Sequence, residues 1–286
     1  LKLNQINLIV GQNATGKTRT INAIKRIANL LNGDIRRIDY RIDEKIDLLF
    51  EFNRDKVHYF LNTESDIVQE EFLAIKGENK LYRKYNEVGK MYYEKEQKFL
   101  EFKVKDNQLA ITKGDSVQQP FFDYLFEWAN NISHYRFGGS MGRNTLSEER
   151  GGVAEELYVN IPKIGIDGRL LYEDRGEKPE KFDNLIIEDM KEIGYNSIIS
   201  VHFDDYSHNP SFSIEEDVNF LLFHYEMSQG MFRALSLIIQ LNYSLLSNKP
   251  SLILIDDIGE GLDYERSKKL IDLIIKKIEG TQVQLI

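Results

Sequence analysis

Residues 11–18 read Gly11-Gln12-Asn13-Ala14-Thr15-Gly16-Lys17-Thr18 and match the pattern G-x-x-x-x-G-K-[ST] at every fixed position. Glycines let a backbone wrap around phosphate groups, and its N–H groups then point inward as an anion nest. A lysine adds a full positive charge for the β- and γ-phosphates, and a hydroxyl is a ligand for Mg²⁺. The stretch therefore predicts a phosphate-binding loop for a nucleoside triphosphate held with Mg²⁺.

The residues on either side of this loop fit a strand before it and a helix after it. Residues 6–10 are a short apolar run, which predicts a buried strand. A helix is predicted over residues 15–31, with Gly33 where a helix-ending glycine normally stands. A helix N-terminus at the loop adds partial positive charge for the phosphates.

A second polar site follows the apolar run Leu-Ile-Leu-Ile at residues 252–255. Asp256 and Asp257 come directly after it. A buried strand that ends in Asp can present the carboxylate to Mg²⁺, directly or through water. Asp256 is therefore the metal candidate beside Thr18, and Asp257 is the catalytic candidate, placed to polarise an attacking water.

A third element opens a long apolar helix predicted over residues 229–246. Ser228 predicts an N-cap for this helix. Gly230, without a side chain, would let a ligand approach the backbone closely. Standing alone, this pattern is typical of an ordinary capped core helix.

Together, the three elements resemble the ABC-type ATPase superfamily. The closer similarity is to RecF, SMC and OLD-like heads and to the small AAA-annotated ATPases of bacterial defence operons. The resemblance implies an α/β fold: a P-loop NTPase of the ABC-ATPase type, with a mixed central sheet, an antiparallel N-terminal subsheet and a helical insertion. It implies one head over residues 1–286, with lobes at about 1–125 and 216–286 and an insertion at about 126–215.

The resemblance also assigns roles to residues. ATP would be held by Gly11, Asn13, Ala14, Thr15, Gly16, Lys17 and Thr18. Mg²⁺ would be held by Thr18 and Asp256. Ser228, Gln229 and Gly230 resemble the signature that contacts the γ-phosphate of a second head in trans. Asp263, in the run Gly261-Leu262-Asp263, resembles the D-loop aspartate.

These roles imply a switch. Two heads would close face to face around two ATP molecules, so the expected partner is a second copy in a homodimer or higher homo-oligomer. Hydrolysis would release the pair. The resemblance further implies a protein effector or DNA as partner, and a role in anti-phage defence or DNA repair.

Three points qualify the resemblance. The family has Glu where Asp257 stands, and the shorter Asp predicts slow hydrolysis. The family's switch His follows the strand predicted at residues 282–286, so it would lie beyond Ile286, and we expect the chain to be cut short there. The Q-loop glutamine is undecided among Gln69, Gln118 and Gln119.

Composition excludes several classes of protein. The absence of cysteine excludes a disulfide scaffold, a cysteine zinc site, an iron–sulfur cluster and a cysteine nucleophile. The five histidines show no metal-ligand spacing. No apolar run approaches the roughly 18–20 residues of a membrane helix, and no signal peptide is recognisable, so a cytoplasmic protein without a membrane partner is expected.

Charge is uneven along the chain. The net charge of −9 repels nucleic acid on average. Residues 76–105 hold nine Lys or Arg against five Glu, a local +4 that leaves −13 for the rest. Six aromatic residues interleave with them, which suits nucleic acid, although a solvated hairpin of mixed charge has the same composition.

The rest of the pattern places further elements. Strands are predicted at residues 46–51, 57–61, 67–75, 99–112 and 197–203, and helices at 121–132, 179–193 and 265–278. The glycine-rich residues 137–153 predict a mobile loop. Arg136, Arg143 and Arg150 near it would reach a phosphate or a partner, or simply be solvated.

Three rival functions remain open at this point. A transporter ATPase subunit is disfavoured by the insertion of about 209 residues between Thr18 and Ser228. A DNA-binding repair head is supported by residues 76–105. A scaffold that assembles with ATP but hydrolyses little is kept open by Asp257.

Overall fold

The computed structural model describes most of the chain, in seven stretches. They are residues 2–12, 15–33, 43–52, 55–137, 153–206, 209–217 and 220–286. The chain forms two compact units, which we call the split unit (residues 1–21 and 132–286) and the inner unit (residues 22–131). The boundary at residue 21 falls within the first helix, α1 (Lys17–Leu31).

The inner unit is built on a six-stranded antiparallel sheet, in which strands adjacent in sequence are adjacent in the sheet. The strands are β1 (Glu44–Phe52), β2 (Asp55–Glu64), β3 (Ile67–Ile75), β4 (Glu78–Lys84), β5 (Gly89–Tyr93) and β6 (Lys98–Phe102). Two 3-10 turns, Ile111–Lys113 and Pro120–Phe122, precede helix α2 (Asp123–Asn130). Alternating side chains bury one face of the sheet. They include Tyr59, Leu61, Leu73, Leu81 and Met91.

A buried carboxylate ties the segment after β6 to this sheet. Glu71, on β3, accepts hydrogen bonds from the backbone N–H groups of Ala110 at 2.8 Å and Ile111 at 3.1 Å. The Tyr59 hydroxyl donates to it at 3.3 Å, and Arg83 Nε lies 3.4 Å away. Burial raises the pKa of Glu71, while Arg83 and the two N–H groups oppose that rise. The acidic side chain is retained in the core because every partner it needs is present.

Among its described residues, the split unit contains two small sheets, four complete helices and the first five residues of α1. In chain order its elements are β7 (Ile132–Arg136), α3 (Val153–Asp174), α4 (Glu180–Glu192), β8 (Ile198–Tyr206), β9 (Asn209–Glu216), β10 (Phe220–Phe223), α5 (Gln229–Ser247), β11 (Ser251–Asp256), α6 (Tyr264–Ile278) and β12 (Val283–Leu285). A parallel sheet has the order β12-β11-β7, and an antiparallel sheet has the order β10-β9-β8. Leu252, Ile253 and Leu254 on β11 are buried, as the centre of a parallel sheet requires.

Helix α5 is buried on almost every side, because apolar residues surround it rather than forming one stripe. A polar contact among three helices joins it to α4 and α6. The Asn242 side-chain Nδ2 donates to Asp189 Oδ2 at 2.7 Å, Lys277 Nζ donates to Asn242 Oδ1 at 2.9 Å, and Lys277 pairs with Asp189. The helix ends at Ser247, and the next residue, Asn248, has φ +52° in the left-handed region that asparagine tolerates.

The strand predicted over residues 6–10 is wrong. A single parallel bridge joins Ile6 to Leu285, and Leu8 and Val10 are 84% and 77% exposed. The Asn7 N–H donates to the Leu285 carbonyl at 3.0 Å and the Leu285 N–H donates to the Gln5 carbonyl at 2.8 Å; among the described residues these are the two backbone hydrogen bonds between this segment and β12. An apolar run becomes a strand only where a neighbour takes its hydrogen bonds.

Helix α3 was not predicted, because Pro162, Gly165 and Gly168 within it lower helix propensity. Close packing explains both glycines. A Cβ on Gly165 would lie 2.1 Å from the Phe203 ring, and one on Gly168 would lie 2.4 Å from the Phe182 ring. Tertiary contact therefore outweighs propensity here. The loop predicted over residues 137–153 lies, except for its two end residues, outside the described residues.

The chain is α/β, as predicted, with an antiparallel sheet in its N-terminal half. The predicted mixed central sheet is wrong for the described residues, because the sheet that holds β11 is parallel in both of its pairings. The lobe boundaries expected near residues 125 and 215 stay predictions. The unit boundary falls between residues 131 and 132, and residue 215 lies within β9. None of the helices in the described part of the chain has the length and apolar character needed to cross a membrane.

Candidate functional site

The predicted phosphate loop leads directly into α1, which begins at Lys17. Gly16 has φ +97°, a backbone conformation that a residue with a side chain rarely adopts. The Thr20 N–H donates to the Gly16 carbonyl at 3.0 Å, so the glycine joins the loop to the first helical turn. Asn13 and Ala14 lie outside the described residues.

The first glycine of the motif is needed for a different reason. A Cβ on Gly11 would lie 2.5 Å from Thr15 Oγ1. That hydroxyl donates to the Gln12 carbonyl at 2.8 Å, and the Thr15 N–H donates to the same oxygen at 3.3 Å. A larger residue at position 11 would therefore displace the Thr15 hydroxyl from this hydrogen bond.

The Lys17 ammonium lies over this loop. Its Nζ donates to the Gly11 carbonyl at 2.8 Å and to the Gln12 carbonyl at 3.1 Å. A positive charge at this place suits a phosphate group bound against the loop backbone.

The structure brings together Thr18 and Asp256, which are 238 positions apart in sequence. The Thr18 hydroxyl donates to Asp256 Oδ2 at 2.7 Å. Thr18 sits in the first turn of α1, and Asp256 is the last residue of β11 and is 9% exposed. A hydroxyl and a carboxylate side by side are the oxygen ligands that Mg²⁺ prefers, so the pair fits this ion.

Asp257 differs from Thr18 and Asp256 in its exposure and in its backbone conformation. It is exposed and has φ +61°, in the left-handed region. Its carbonyl accepts from the Glu260 N–H at 2.9 Å, which starts the turn after β11. Aspartate and asparagine tolerate this backbone better than most residues.

The predicted signature residues form the N-terminus of α5. The Ser228 hydroxyl accepts from the Met231 N–H at 3.3 Å, so Ser228 is the N-cap. Ser228 and Gln229 are exposed, whereas Gly230 is buried. A Cβ on Gly230 would lie 2.1 Å from the Gly261 carbonyl oxygen. The close approach that this glycine permits is thus to the backbone of the chain itself.

Arg233 is a residue at this site to which sequence reasoning gave no role. It is 2% exposed, and its Nη1 donates to the Glu260 carbonyl at 2.7 Å. The guanidinium also lies against the Phe137 ring, 5.9 Å from its centre. With the Gly230–Gly261 contact, it fastens the start of α5 to the turn after β11. A lone charged residue within an apolar helix was the available signal.

Asp263, the predicted D-loop residue, is the N-cap of α6. Its Oδ1 accepts from the Arg266 N–H at 2.9 Å, and its Oδ2 pairs with Arg266 Nη1 at 2.9 Å. The hydrogen bond from the Arg266 N–H is the main cause that lowers the pKa of Asp263, and the Arg266 charge adds to it. Gly261, with φ +82°, shapes the turn just before it.

Comparison with known proteins returns similarity to solved structures alone. No protein-family model matches the chain, and no curated protein matches its sequence. The chain is similar to the SMC head domain from Thermotoga maritima, with 13% identity and a TM-score of 0.49 over 100% of this chain and 81% of that one. It is also similar to the Smc head domain with an extended coiled coil, bound to the C-terminal domain of ScpA, from Pyrococcus furiosus. There the identity is 15% and the TM-score 0.43, over 98% of this chain and 82% of that one. These structural neighbours are SMC head domains.

The three Q-loop candidates all lie in the inner unit. Gln69 is on β3, and its carbonyl accepts from the Tyr85 N–H at 2.9 Å. The side chain of Gln119 is buried and accepts from the Asp115 N–H at 2.8 Å, so it holds its own loop. Nothing in these contacts separates the candidates, and the Q-loop assignment stays open.

The basic segment 76–105 forms β4, β5 and β6 with their turns. Five of its nine basic residues are in ion pairs. The pairs are Lys76–Asp55, Lys80–Glu78, Arg83–Glu71, Lys84–Glu70 and Lys98–Glu96. This pairing favours a solvated hairpin of mixed charge, and DNA binding by the segment stays a prediction.

The other predicted candidates contribute no further described site. Arg136 ends β7, whereas Arg143 and Arg150 lie outside the described residues. Within the part of the chain that the structure covers, no group of three or more His, Asp or Glu side chains is placed to hold a metal ion.

Proposed function

We propose that the chain binds ATP with Mg²⁺ and hydrolyses it. The observation that carries this proposal is the 2.7 Å hydrogen bond from Thr18 at the start of α1 to Asp256 at the end of β11. Two motifs far apart in sequence meet there, at the residue that directly follows Lys17, as a nucleotide site with a metal ion requires.

Each residue has a distinct task in this proposal. The backbone of residues 11–18 and Lys17 bind the phosphates, and Thr18 and Asp256 hold the ion. Mg²⁺, when bound, neutralises the charge that develops on the phosphate oxygens. Asp257 orients and polarises the attacking water from the turn after β11.

We further propose that ATP joins two copies head to head, in a homodimer or higher homo-oligomer. Ser228, Gln229 and Gly230 of one copy would face the γ-phosphate of the other, with Asp263 close by. The exposure of Ser228 and Gln229 at a helix N-terminus supports this, since such an end favours an anion. The γ-phosphate would then control a protein effector or a DNA-associated process, anti-phage defence among them.

Calorimetric titration of ATP with Mg²⁺ tests the binding site. Lys17→Ala should weaken ATP binding by at least about 100-fold. The variant would lose two charge-assisted hydrogen bonds from the lysine to the phosphates, of roughly 1.5 kcal/mol each. Lys249→Ala, which removes an exposed lysine after α5, is the matched control and should change nothing.

The metal pair is tested in the same titration. Thr18→Val removes the hydroxyl and should abolish the dependence of ATP affinity on Mg²⁺, whereas Thr18→Ser should retain it. An unchanged affinity for ATP in Lys17→Ala would contradict the assignment of residues 11–18 as the ATP-binding loop.

A scaffold that assembles with ATP but hydrolyses little is the second candidate, and the exposed, short side chain of Asp257 favours it. Light scattering and phosphate release, measured together with ATP and Mg²⁺, separate the two. A dimer that persists without phosphate release would favour the scaffold, and a dimer that decays as phosphate appears would favour the switch.

A further inference from the structure

A cleft of about 390 Å³ lies between α4 and the start of β8, within the split unit. Its walls come from Glu180, Asn184 and Ile187 on α4 and from Ile199 and His202 on β8. The α4 residues are three or four positions apart and therefore share one face of the helix. Ile199 is 45% exposed, so an apolar side chain is accessible in the cleft.

Among the residues that the structure describes, no strand pairs with the outer edge of β8 beside this cleft, because β8 is the last strand of its sheet. The His224 N–H donates to the Phe212 carbonyl at 3.0 Å, so Phe212 on β9 directs its backbone groups toward β10. These directions alternate along antiparallel strands. Phe203, which lies opposite Phe212, and Val201 therefore direct their N–H and C=O groups away from β9. The Val201 carbonyl accordingly accepts from Arg169 Nη2 at 3.1 Å.

Among the residues that line the cleft, the two acidic side chains of Glu180 and Asp183 outnumber the one basic side chain of Arg169. Arg169 is neutralised by Asp183, with Nε donating to Oδ1 at 2.9 Å and Nη2 to Oδ2 at 2.8 Å. Glu180 stands exposed at the rim. On the outer face of the sheet, the Glu215 carboxylate lies 3.8 Å from His202 Nε2. A basic group would complement this surface.

We propose that this groove binds an extended segment of a partner protein, in which apolar and basic residues alternate. The segment adds a strand to β8 and exchanges hydrogen bonds with the backbone of Val201 and Phe203. The Val201 carbonyl keeps Arg169, since its oxygen has two lone pairs. Side chains of a strand alternate between faces, so the apolar ones pack toward Ile187 and the basic ones lie beside Glu215.

Amide hydrogen exchange of the full chain, followed by NMR, tests this directly. The probe is an acetylated, amidated octapeptide of alternating Val and Lys. At saturation, the Val201 and Phe203 amides should exchange at least about tenfold more slowly. The Ser200 and His202 amides, which bond to β9, should not change.

Matched peptides and variants isolate the contacts. Proline has no backbone N–H, and neighbouring residues of a strand direct their N–H groups to opposite edges. Proline at the two central positions therefore removes one N–H donor from each edge of the peptide strand and should abolish binding. A peptide of alternating Val and Glu should bind at least about tenfold more weakly, because like charges meet at Glu215. Ile187→Ser should weaken binding, whereas Ile275→Ser on α6, where the residue is 38% exposed, should not.

Three outcomes would overturn the proposal. They are unchanged exchange at Val201 and Phe203, equal affinity for the proline peptide, and equal affinity for the Val–Glu peptide. Protection that grows with protein concentration in the absence of peptide would assign the edge to a second copy of the chain instead. None of these measurements involves ATP, so their failure leaves the nucleotide site untouched.

Discussion

The backbone of Asp257 bears on the departure of this chain from the usual Glu. At φ +61° a short polar side chain fits better than a longer one, since Asp and Asn tolerate the left-handed region. The local turn after β11 therefore suits the aspartate that stands there. A substitution by Asn can separate the effect of the carboxylate charge on hydrolysis from the effect of the backbone conformation on stability. Asn tolerates the same left-handed conformation as Asp but carries no charge.

Asp257→Asn should leave the free energy of unfolding within about 0.5 kcal/mol of the parent and lower the rate of ATP hydrolysis. Asp257→Ala should lower that rate too, and should also cost about 1 kcal/mol of stability because alanine fits the left-handed region poorly. Urea unfolding and phosphate release measure the two effects. Hydrolysis at the parental rate in Asp257→Asn would remove Asp257 from the mechanism.

His224 provides a prediction on pH. Its Nδ1 lies 3.2 Å from the Phe212 carbonyl, its ring stacks on Phe212, and burial lowers its pKa. The folded chain then binds this proton less readily than the unfolded chain. The contribution to stability is full above the ordinary histidine pKa of about 6.5 and is lost as pH falls through the lower folded value.

The unfolding free energy should therefore fall as the pH drops below the ordinary histidine pKa of about 6.5, by at most about 1.4 kcal/mol per pH unit from this residue. His224→Phe should be less stable at neutral pH, having lost a hydrogen bond, but should show a shallower dependence on pH. His202→Gln, which removes an exposed histidine, is the control. An equal slope in His224→Phe and the parent would contradict the assignment.

At the scale of elements, the start of α5 and the turn after β11 behave as one piece. A Cβ on Gly230 would meet the Gly261 carbonyl oxygen at 2.1 Å, and backbone atoms cannot turn aside as a side chain can. Gly230→Ala should cost about 1–3 kcal/mol and displace Ser228 and Gln229. Gly259→Ala is a matched control in the same turn, since its Cβ would meet Ser267 Oγ at an ordinary 3.6 Å.

Urea unfolding measures the cost of Gly230→Ala, and ATP-dependent dimerisation measures its effect on the proposed trans contact. Loss of stability in both glycine variants alike would show that the turn tolerates no side chain, rather than that α5 packs on it. Stability and dimerisation unchanged in Gly230→Ala would refute the contact.

Elements with a strong pattern of their own could be predicted from the sequence. Helix α4, helix α5, strand β11 and helix α6 lie close to their predicted positions, because each has a clear apolar run and an end signal. The strand predicted at residues 99–112 was too long, since β6 ends at Phe102 and a 3-10 turn follows. Helix α3 and the short pairing at Ile6 depend on distant neighbours, which no local pattern contains.

In the candidate site, too, local motifs could be predicted from the sequence and contacts between distant elements could not. The loop residues and Asp256 belong to local motifs, and their spacing predicted them. The Arg233 contact with the Glu260 carbonyl could not be predicted, because it joins residues from separate elements and one partner is a backbone atom. The Gly230–Gly261 approach could not be predicted for the same reason.

At the scale of the whole molecule, the two compact units allow unfolding in separate steps. The single tryptophan reports on one of them alone. Trp128 lies in the inner unit, with its ring 4.9 Å from that of Phe50. Its fluorescence therefore follows the inner unit, whereas far-ultraviolet circular dichroism follows both units.

Glu71→Gln separates the two signals. An amide retains one acceptor oxygen but turns its NH₂ group toward the Ala110 or Ile111 N–H, and it leaves Arg83 without a counter-charge. The cost should be about 3 kcal/mol, confined to the inner unit. The tryptophan transition should move to lower urea while the remaining dichroism change stays in place. Glu70→Gln, which removes a weaker pair with Lys84 at 3.8 Å, should move neither. If both signals moved together in Glu71→Gln, the units would form a single cooperative structure, and the buried carboxylate would stabilise the nucleotide site as well.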